Sequence, residues 1–259
     1  MLYAHLNLKE DIYVPFACEE WLCREAGAER LPVPAVHLWR HERAFVLGLR
    51  DSRLPYAREA MEWLAGEGYS VMVRNSGGAA VPLDLGVVNV ALIQRASSGQ
   101  LRMDDDFRLM AGMLAETLRP FGVAFETGEV EGSYCPGEFD LSVGGRKFCG
   151  LAQRRQLRGY AVQAFVNAEG DSRERAAVVR EFYRRAGGSN AGALDVRVET
   201  MGSLTELAPS FPGADRWLGS LIESFGEPAT LPASAEATIA ETAEAMKRRY
   251  DPRYADAGR

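Results

Sequence analysis

Residues 139–168 read FDLSVGGRKFCGLAQRRQLRGYAVQAFVNA. Gly144 and Gly145 form the two-residue pair that a tight hairpin requires, because both positions accept positive φ. Polar and apolar residues alternate on either side of the pair, as they do along a strand with one buried face. A second break at Leu157–Gly159 turns the chain again. The stretch therefore predicts a three-stranded antiparallel meander, and a sheet at the centre of the fold.

Upstream, residues 104–119 open with Asp104, Asp105 and Asp106, which suit the positive end of a helix dipole. Phe107, Met110, Ala111, Leu114 and Leu118 follow at helical spacing, and Pro120 is the stop. Val71–Arg74 and Val88–Ile93 are β-rich runs around the glycine segment NSGGAAVPLDLG, residues 75–86. Residues 55–68 read as a helix closing at Gly66 or Gly68. Residues 36–51, VHLWRHERAFVLGLRD, alternate and then run apolar, which predicts a β-hairpin turning at Glu42 and Arg43. FACEEWLCREA, residues 16–26, has one apolar helical face carrying Cys18 and Cys23.

Downstream, Ser203 and Glu206 have capping-box spacing. Asp215–Phe225 and Ser234–Tyr250 read as the last two helices, and the end DPRYADAGR is expected to fray. Strands interrupted by single helices predict an α/β (α+β) fold with a mixed sheet flanked by helices. No internal repeat divides the chain. Residues 1–259 are expected to form a single catalytic domain, with 232–259 as a C-terminal helix and tail.

Composition narrows the function classes. The chain has 259 residues, 47% hydrophobic and 25% charged, with a formal charge of −6. An acidic surface argues against a nucleic-acid partner. No apolar run approaches the length of a membrane span, and Met1–Glu10 lacks the pattern of a secretory signal, so a reducing cytoplasm is the expected setting. The four cysteines show no CxxC pair, and His5, His37 and His41 are the only histidines. No metal site is expected from so few ligands. His37 and His41, on one strand face, are read as surface or packing residues.

Three segments carry chemistry. In RNSGGAAVPLDLGVVN, residues 74–89, adjacent glycines let backbone approach a ligand closely. The phosphate-loop Gly-Lys-Ser/Thr and the dinucleotide spacing are both absent. In GSYCPG, residues 132–137, a cysteine between an aromatic and a proline sits in a glycine-bounded loop, where a nearby cation would favour the attacking thiolate. Arg146 and Lys147, across the next hairpin, are candidates for that cation. In GRKFCGLAQRR, residues 145–155, Lys147 begins a strand and can present a charged donor to a carbonyl oxygen. Cys149 reads as packing. Gln153, Arg154 and Arg155 suggest a basic rim for an acidic partner protein.

Taken together these segments resemble the biotin/lipoyl attachment superfamily. Lipoate-protein ligases carry Arg-Arg-x-Ser-Gly-Gly-Gly-Ala-Val-x-His-Asp, and here Arg74–Asp84 departs with Asn75 for the second arginine and Leu83 for the histidine. The version with asparagine and leucine is similar to the octanoyl-[glycine cleavage H protein]:protein N-octanoyltransferases, a family of amidotransferases. GSYCPGEFDLS, GRKFCGLAQRR and HLWRHERAFVLGLRDSRLP resemble the same family, and the resemblance spans residues 16–226. Cys149 departs from the alanine expected there.

The resemblance implies a mixed sheet around an acyl tunnel and transfer through a thioester, without ATP or another cofactor. It implies Cys135 as nucleophile, with Lys147 and the glycine loop holding the acyl carbonyl. Arg74, Ser76, Gly77, Gly78, Asp84, Asn89 and Gly150 would be substrate-binding positions. The octanoylated H protein would be donor, lipoyl domains of 2-oxoacid dehydrogenase complexes acceptors, and the enzyme a monomer. Three alternatives stay open at this point: an octanoyl-acyl carrier protein transferase, an ATP-dependent lipoate ligase, and a non-catalytic binder of lipoyl domains.

Overall fold

The computed structural model describes residues 1–9, 11–96, 103–156, 158–188 and 194–254. In chain order the strands and helices are β1 (Leu2–Leu8), α1 (Tyr13–Gly27), β2 (Ala35–His41), β3 (Arg43–Leu47), α2 (Ala57–Gly66), β4 (Ser70–Val73), β5 (Val81–Asp84), β6 (Val87–Arg95) and α3 (Met103–Leu118). They continue with β7 (Glu126–Thr127), β8 (Leu141–Val143), β9 (Arg146–Arg155), β10 (Gly159–Asn167), α4 (Ser172–Gly187), α5 (Leu204–Leu207), α6 (Ala214–Phe225) and α7 (Ala233–Tyr250).

The expected meander is β8-β9-β10, hinged at Gly144 (φ 56°) and Gly145 (φ 74°). It forms one end of a seven-stranded sheet of order β1-β2-β6-β10-β9-β8-β7. Among these strands only β1 and β2 pair in parallel, joined by α1 as a βαβ unit. A second sheet, β4-β3-β5, stands against the first. Pro82 falls on its edge strand β5, where a missing N–H costs no ladder bond.

The hairpin expected at Glu42 and Arg43 does not form. β2 pairs with β1 and β6, whereas β3 pairs with β4 and β5. The chain leaves one sheet and enters the other across Glu42. Alternation is the same for a hairpin and for a strand that changes sheets, so pattern alone could not separate them. This corner opens the space between the sheets.

Two cores result. Ala161 and Phe165 of β10 face α1, α4, α7 and the small sheet. Val162, Ala164 and Val166 face α3 and α6 on the other side. α4 was not anticipated, although its signal is present: Ala176, Val179, Tyr183 and Ala186 fall on one face, and Asp171 caps the Arg173 and Glu174 N–H groups. The C-terminal segment is tied down as far as it is described. Asp251 accepts a hydrogen bond from Tyr13 (3.1 Å), and Arg253 donates to the Val71 carbonyl (2.6 Å). The frayed end expected at 255–259 lies outside the described residues.

β9 carries one irregularity that matters below. Cys149 pairs with Leu141 and Lys147 with Ser142, leaving Phe148 as an extra residue. Such a bulge breaks strict alternation and re-aims side chains. Phe148 and Cys149 both enter the α3/α6 core, which frees Lys147 and Gly150 to face the other way.

Candidate active site

Cys135 lies in the loop between β7 and β8 with φ 48°. A left-handed backbone costs a non-glycine residue about 1–2 kcal/mol, so the surroundings must hold it. They do so through Lys147. Its Nζ, fully buried, donates to the carbonyls of Tyr134 (2.9 Å) and Cys135 (2.5 Å) and pairs with Asp140 Oδ1 (2.9 Å). Three N–H bonds meet three acceptors. Asp140 also accepts from the Gly137 N–H at 3.2 Å, closing the loop on itself. Burial pushes the Asp140 carboxyl up, and the Lys147 ammonium works against that. Tyr134 stacks on Phe165 at 5.8 Å and fixes the other flank.

The cation at the sulfur is Arg74, at the end of β4. Its Nη2 lies 3.2 Å from Cys135 Sγ, and the Ala79 N–H reaches the same sulfur at 3.2 Å. Arg146 is turned away, onto the Met201 carbonyl and Glu206. α7 and the tail brace this arrangement, since Arg253 grips Val71 of β4 just before Arg74. Arg74 Nε and Ser76 Oγ are buried without a hydrogen-bond partner among the described residues.

Gly78 permits the approach. At φ 97°, a Cβ there would stand 2.2 Å from Arg74 Nη2 and 2.9 Å from Cys135 Sγ. Gly78→Ala should therefore displace both groups. The expected result is a loss of activity of about 100-fold, the order seen for a misplacement near 1 Å, with the circular dichroism spectrum unchanged. Wild-type activity in that variant would contradict the geometry.

Two spaces lie beside the Cys135 loop, one lined by Cys135 and the other by its neighbour Pro136. The first is a narrow apolar pocket between the sheets, lined by Phe16, Trp39, Leu83, Asn89, Gly150 and Phe165 among others. Gly150 is its floor, because a Cβ would come within 2.5 Å of the Phe165 ring. The other is an open cleft walled by Asp51, Ser76, Gly77, Gly78, Pro136 and Tyr183. Asp51 and Tyr183 were missed from sequence. Asp51 is 5% exposed and accepts from the Gly48 N–H and the Tyr183 hydroxyl, each at 2.8 Å. Only a fold that packs α4 against the β3–α2 connection brings them together.

Of the expected positions, Arg74, Asn89 and Gly150 line the pocket, and Ser76, Gly77 and Gly78 line the cleft. Asp84 goes elsewhere. It forms a two-point pair with Arg175 (2.6 and 2.7 Å), anchoring β5 to α4. The expected basic rim is neutralised: Arg154 pairs with Glu20, while Arg155 and Gln153 meet Asp106.

The other three cysteines are buried. Cys149 faces the core opposite the pocket, so its replacement of an alanine leaves the pocket unaltered. Burial pushes the Cys18 thiol up to about 12 and raises those of Cys23 and Cys149. His37 is buried against Glu19, and His41 accepts from the Arg43 N–H, so both take packing positions. One donor group among the described residues has metal-ligating spacing: His5, Cys18 and His37, with ligand atoms within 4.8 Å of one another. Its two rings are hydrogen-bonded to each other at 2.8 Å, and burial holds His5 down at about 4. No helix among the described residues is long and apolar enough to cross a membrane.

Residues 11–226 match the model of the lipoyl protein ligase A/B catalytic domain. The chain is 43% identical over 197 residues to the octanoyl-[GcvH]:protein N-octanoyltransferase of Bacillus velezensis, covering 74% of this chain and 68% of that one. It is 40% identical over 229 residues to the enzyme of the same name from Geobacillus kaustophilus, covering 86% and 81%. To the lipoyl-[GcvH]:protein N-lipoyltransferase of Listeria monocytogenes it is 36% identical over 205 residues, covering 78% and 73%. Among solved structures, lipoate-protein ligase A bound with ATP superposes with a TM-score of 0.70 at 20% identity, covering 94% of this chain and 93% of that one. A putative lipoate protein ligase from T. acidophilum with bound lipoic acid gives 0.71 at 19%, covering 94% of each. At that identity the likeness is one of fold.

Proposed function

This chain belongs to the lipoyl protein ligase A/B catalytic domain family, and from that premise we propose that it moves an octanoyl group from a lysine of the glycine cleavage H protein to a lysine of a lipoyl domain, through a thioester on Cys135. It is an acyltransferase of protein lipoylation. The observation that carries the thioester reading is the sulfur itself: Cys135 Sγ sits at the mouth of an apolar pocket with Arg74 Nη2 and the Ala79 N–H both at 3.2 Å.

The octanoyl tail lies in the pocket. Its burial contributes about 5 kcal/mol at roughly 0.8 kcal/mol per methylene. The thiolate attacks the amide carbonyl, and negative charge gathers on its oxygen. Lys147 was expected to receive that charge, but its three N–H bonds are engaged, and we assign it to holding the Cys135 loop. Arg74, with Nε unpartnered, and the backbone N–H groups of the glycine loop are the donors available to the oxygen. The donor lysine leaves, and an acceptor lysine enters from the cleft and takes the chain. Both ends of the exchange are lysine amides of similar energy, so transfer needs no nucleoside triphosphate.

Asn75 and Leu83, in place of the ligases' arginine and histidine, fit a reaction without an adenylate. Residues 1–259 act as one catalytic unit, monomeric and cytoplasmic. Intact-mass spectrometry after mixing the protein with octanoyl-H protein, without ATP, is the test. An octanoyl adduct at Cys135 that hydroxylamine removes is the expected result. Labelling by octanoyl-acyl carrier protein alone would change the donor, and labelling only with ATP and free acid would overturn the mechanism.

A further inference from the structure

An acceptor lysine arrives as an ammonium and cannot attack until it loses a proton. Among the described residues no histidine lines the cleft through which it must come, and Lys147 is spent. Asp51 is the only carboxylate of the described cleft wall. It shares the cleft wall with the glycine loop, and its hydrogen-bond donor Gly48 packs against that loop, since a Cβ on Gly48 would meet the Gly78 carbonyl at 2.0 Å. Tyr183 bridges from Asp51 (2.8 Å) to the Ala80 N–H (3.2 Å), next to the Ala79 N–H that holds the sulfur. Among the described residues Asp51 thus has two neutral donors and no cation bound to it, although Arg74 and Arg50 stand nearby. A buried carboxylate without a counter-ion is costly unless something charged visits it.

We propose that Asp51, oriented by Tyr183, receives the lysine ammonium in the cleft and serves as the proton acceptor and donor for both halves of the transfer. The inference rests on the thioester reading above. In the second half, Asp51 takes one proton from the ammonium, and the free amine attacks the thioester carbon. The C–N bond forms, the C–S bond breaks, and the remaining amine proton goes to the departing sulfur. Asp51 then releases its proton to the cleft. In the first half the steps run backwards: the proton that the sulfur gives up as it becomes the attacking thiolate goes to the amide nitrogen as the C–N bond breaks, and Asp51 supplies the second proton that makes the leaving lysine an ammonium. One group suffices because donor and acceptor are the same chemical species. Burial raises the Asp51 carboxyl above the ordinary range, which brings its proton-bound form nearer to working pH.

The test uses octanoyl-enzyme prepared with wild-type protein, Asp51→Asn and Tyr183→Phe. Deacylation is followed by mass with two nucleophiles: a lipoyl domain, whose lysine is charged, and hydroxylamine, which is largely uncharged at neutral pH. Asp51→Asn should slow transfer to the lipoyl domain by about 100-fold at neutral pH. Raising the pH should recover it, because solvent then supplies the free amine. Its hydroxylamine rate should stay within about threefold of wild type, which a merely structural defect would not allow. Tyr183→Phe, which keeps the carboxylate, should show the same pattern with a smaller loss. Equal losses with both nucleophiles, or an undiminished rate to the lipoyl domain in Asp51→Asn, would overturn the inference while leaving the thioester intact. Failure of the wild type to form any hydroxylamine-sensitive adduct would instead remove the thioester reading and this inference with it.

Discussion

Cys135→Ser should fold and bind acylated H protein, yet transfer octanoyl groups at least about 10⁴-fold more slowly than wild type, the order of loss when a covalent mechanism loses its nucleophile. The substitution changes one atom, and the new hydroxyl would keep the thiol's place between Arg74 and the Ala79 N–H. A hydroxyl, however, is a far weaker nucleophile than a thiolate, and no base adjoins it to correct that. No other cysteine can take over. Cys149 is on the opposite face of the sheet, and Cys18 and Cys23 are buried on the inner face of α1. The mass shift of a lipoyl-domain acceptor measures the effect, and full activity would remove Cys135 from the mechanism.

Lys147→Met should cost both stability and activity. It leaves Asp140 buried without its counter-ion, a change worth about 3–5 kcal/mol, or roughly 10 °C in Tm for a chain of this size. It also releases the Tyr134 and Cys135 carbonyls, so Cys135 can relax from its left-handed conformation. Adding Asp140→Leu separates the two effects. An apolar pair of similar volume should restore most of the lost stability, while transfer stays low because nothing holds the loop. Recovery of activity along with Tm would show that Lys147 acts only as one half of an ion pair. A wild-type melting curve for Lys147→Met alone would contradict the buried clamp.

The meander, α1, α2, α3 and the last two helices were legible because each is set by local signals: the Gly144-Gly145 pair, the Asp104–Asp106 start, the period of the apolar face. The sheet change at Glu42 was not, since it depends on which strands β2 and β3 find as partners. The bulge at Phe148 is of the same kind. It is invisible in a pattern that alternates well, yet it decides that Lys147 and Gly150 share a face while Cys149 leaves it. Within the site, Cys135, Arg74 and the glycines announced themselves as a recognisable motif. Asp51 and Tyr183 stand 132 residues apart and carry no motif of their own. Asp84 reads as part of the motif, but its bond to Arg175 could be known only once α4 was in place.

On the proposed mechanism, an enzyme that attaches acyl chains to lysines keeps one of its own lysines beside the cysteine it loads. Lys147 donates to the carbonyl of Cys135 itself. Were that amine free, the first turnover would end in a dead protein carrying its own octanoyl amide. The clamp forestalls this. An ammonium with every proton engaged and a carboxylate beside it has no lone pair to offer, and it points at backbone oxygens rather than along the path to a thioester carbon. On that mechanism, the contact that holds the nucleophile in position also keeps Lys147 from taking the acyl group itself.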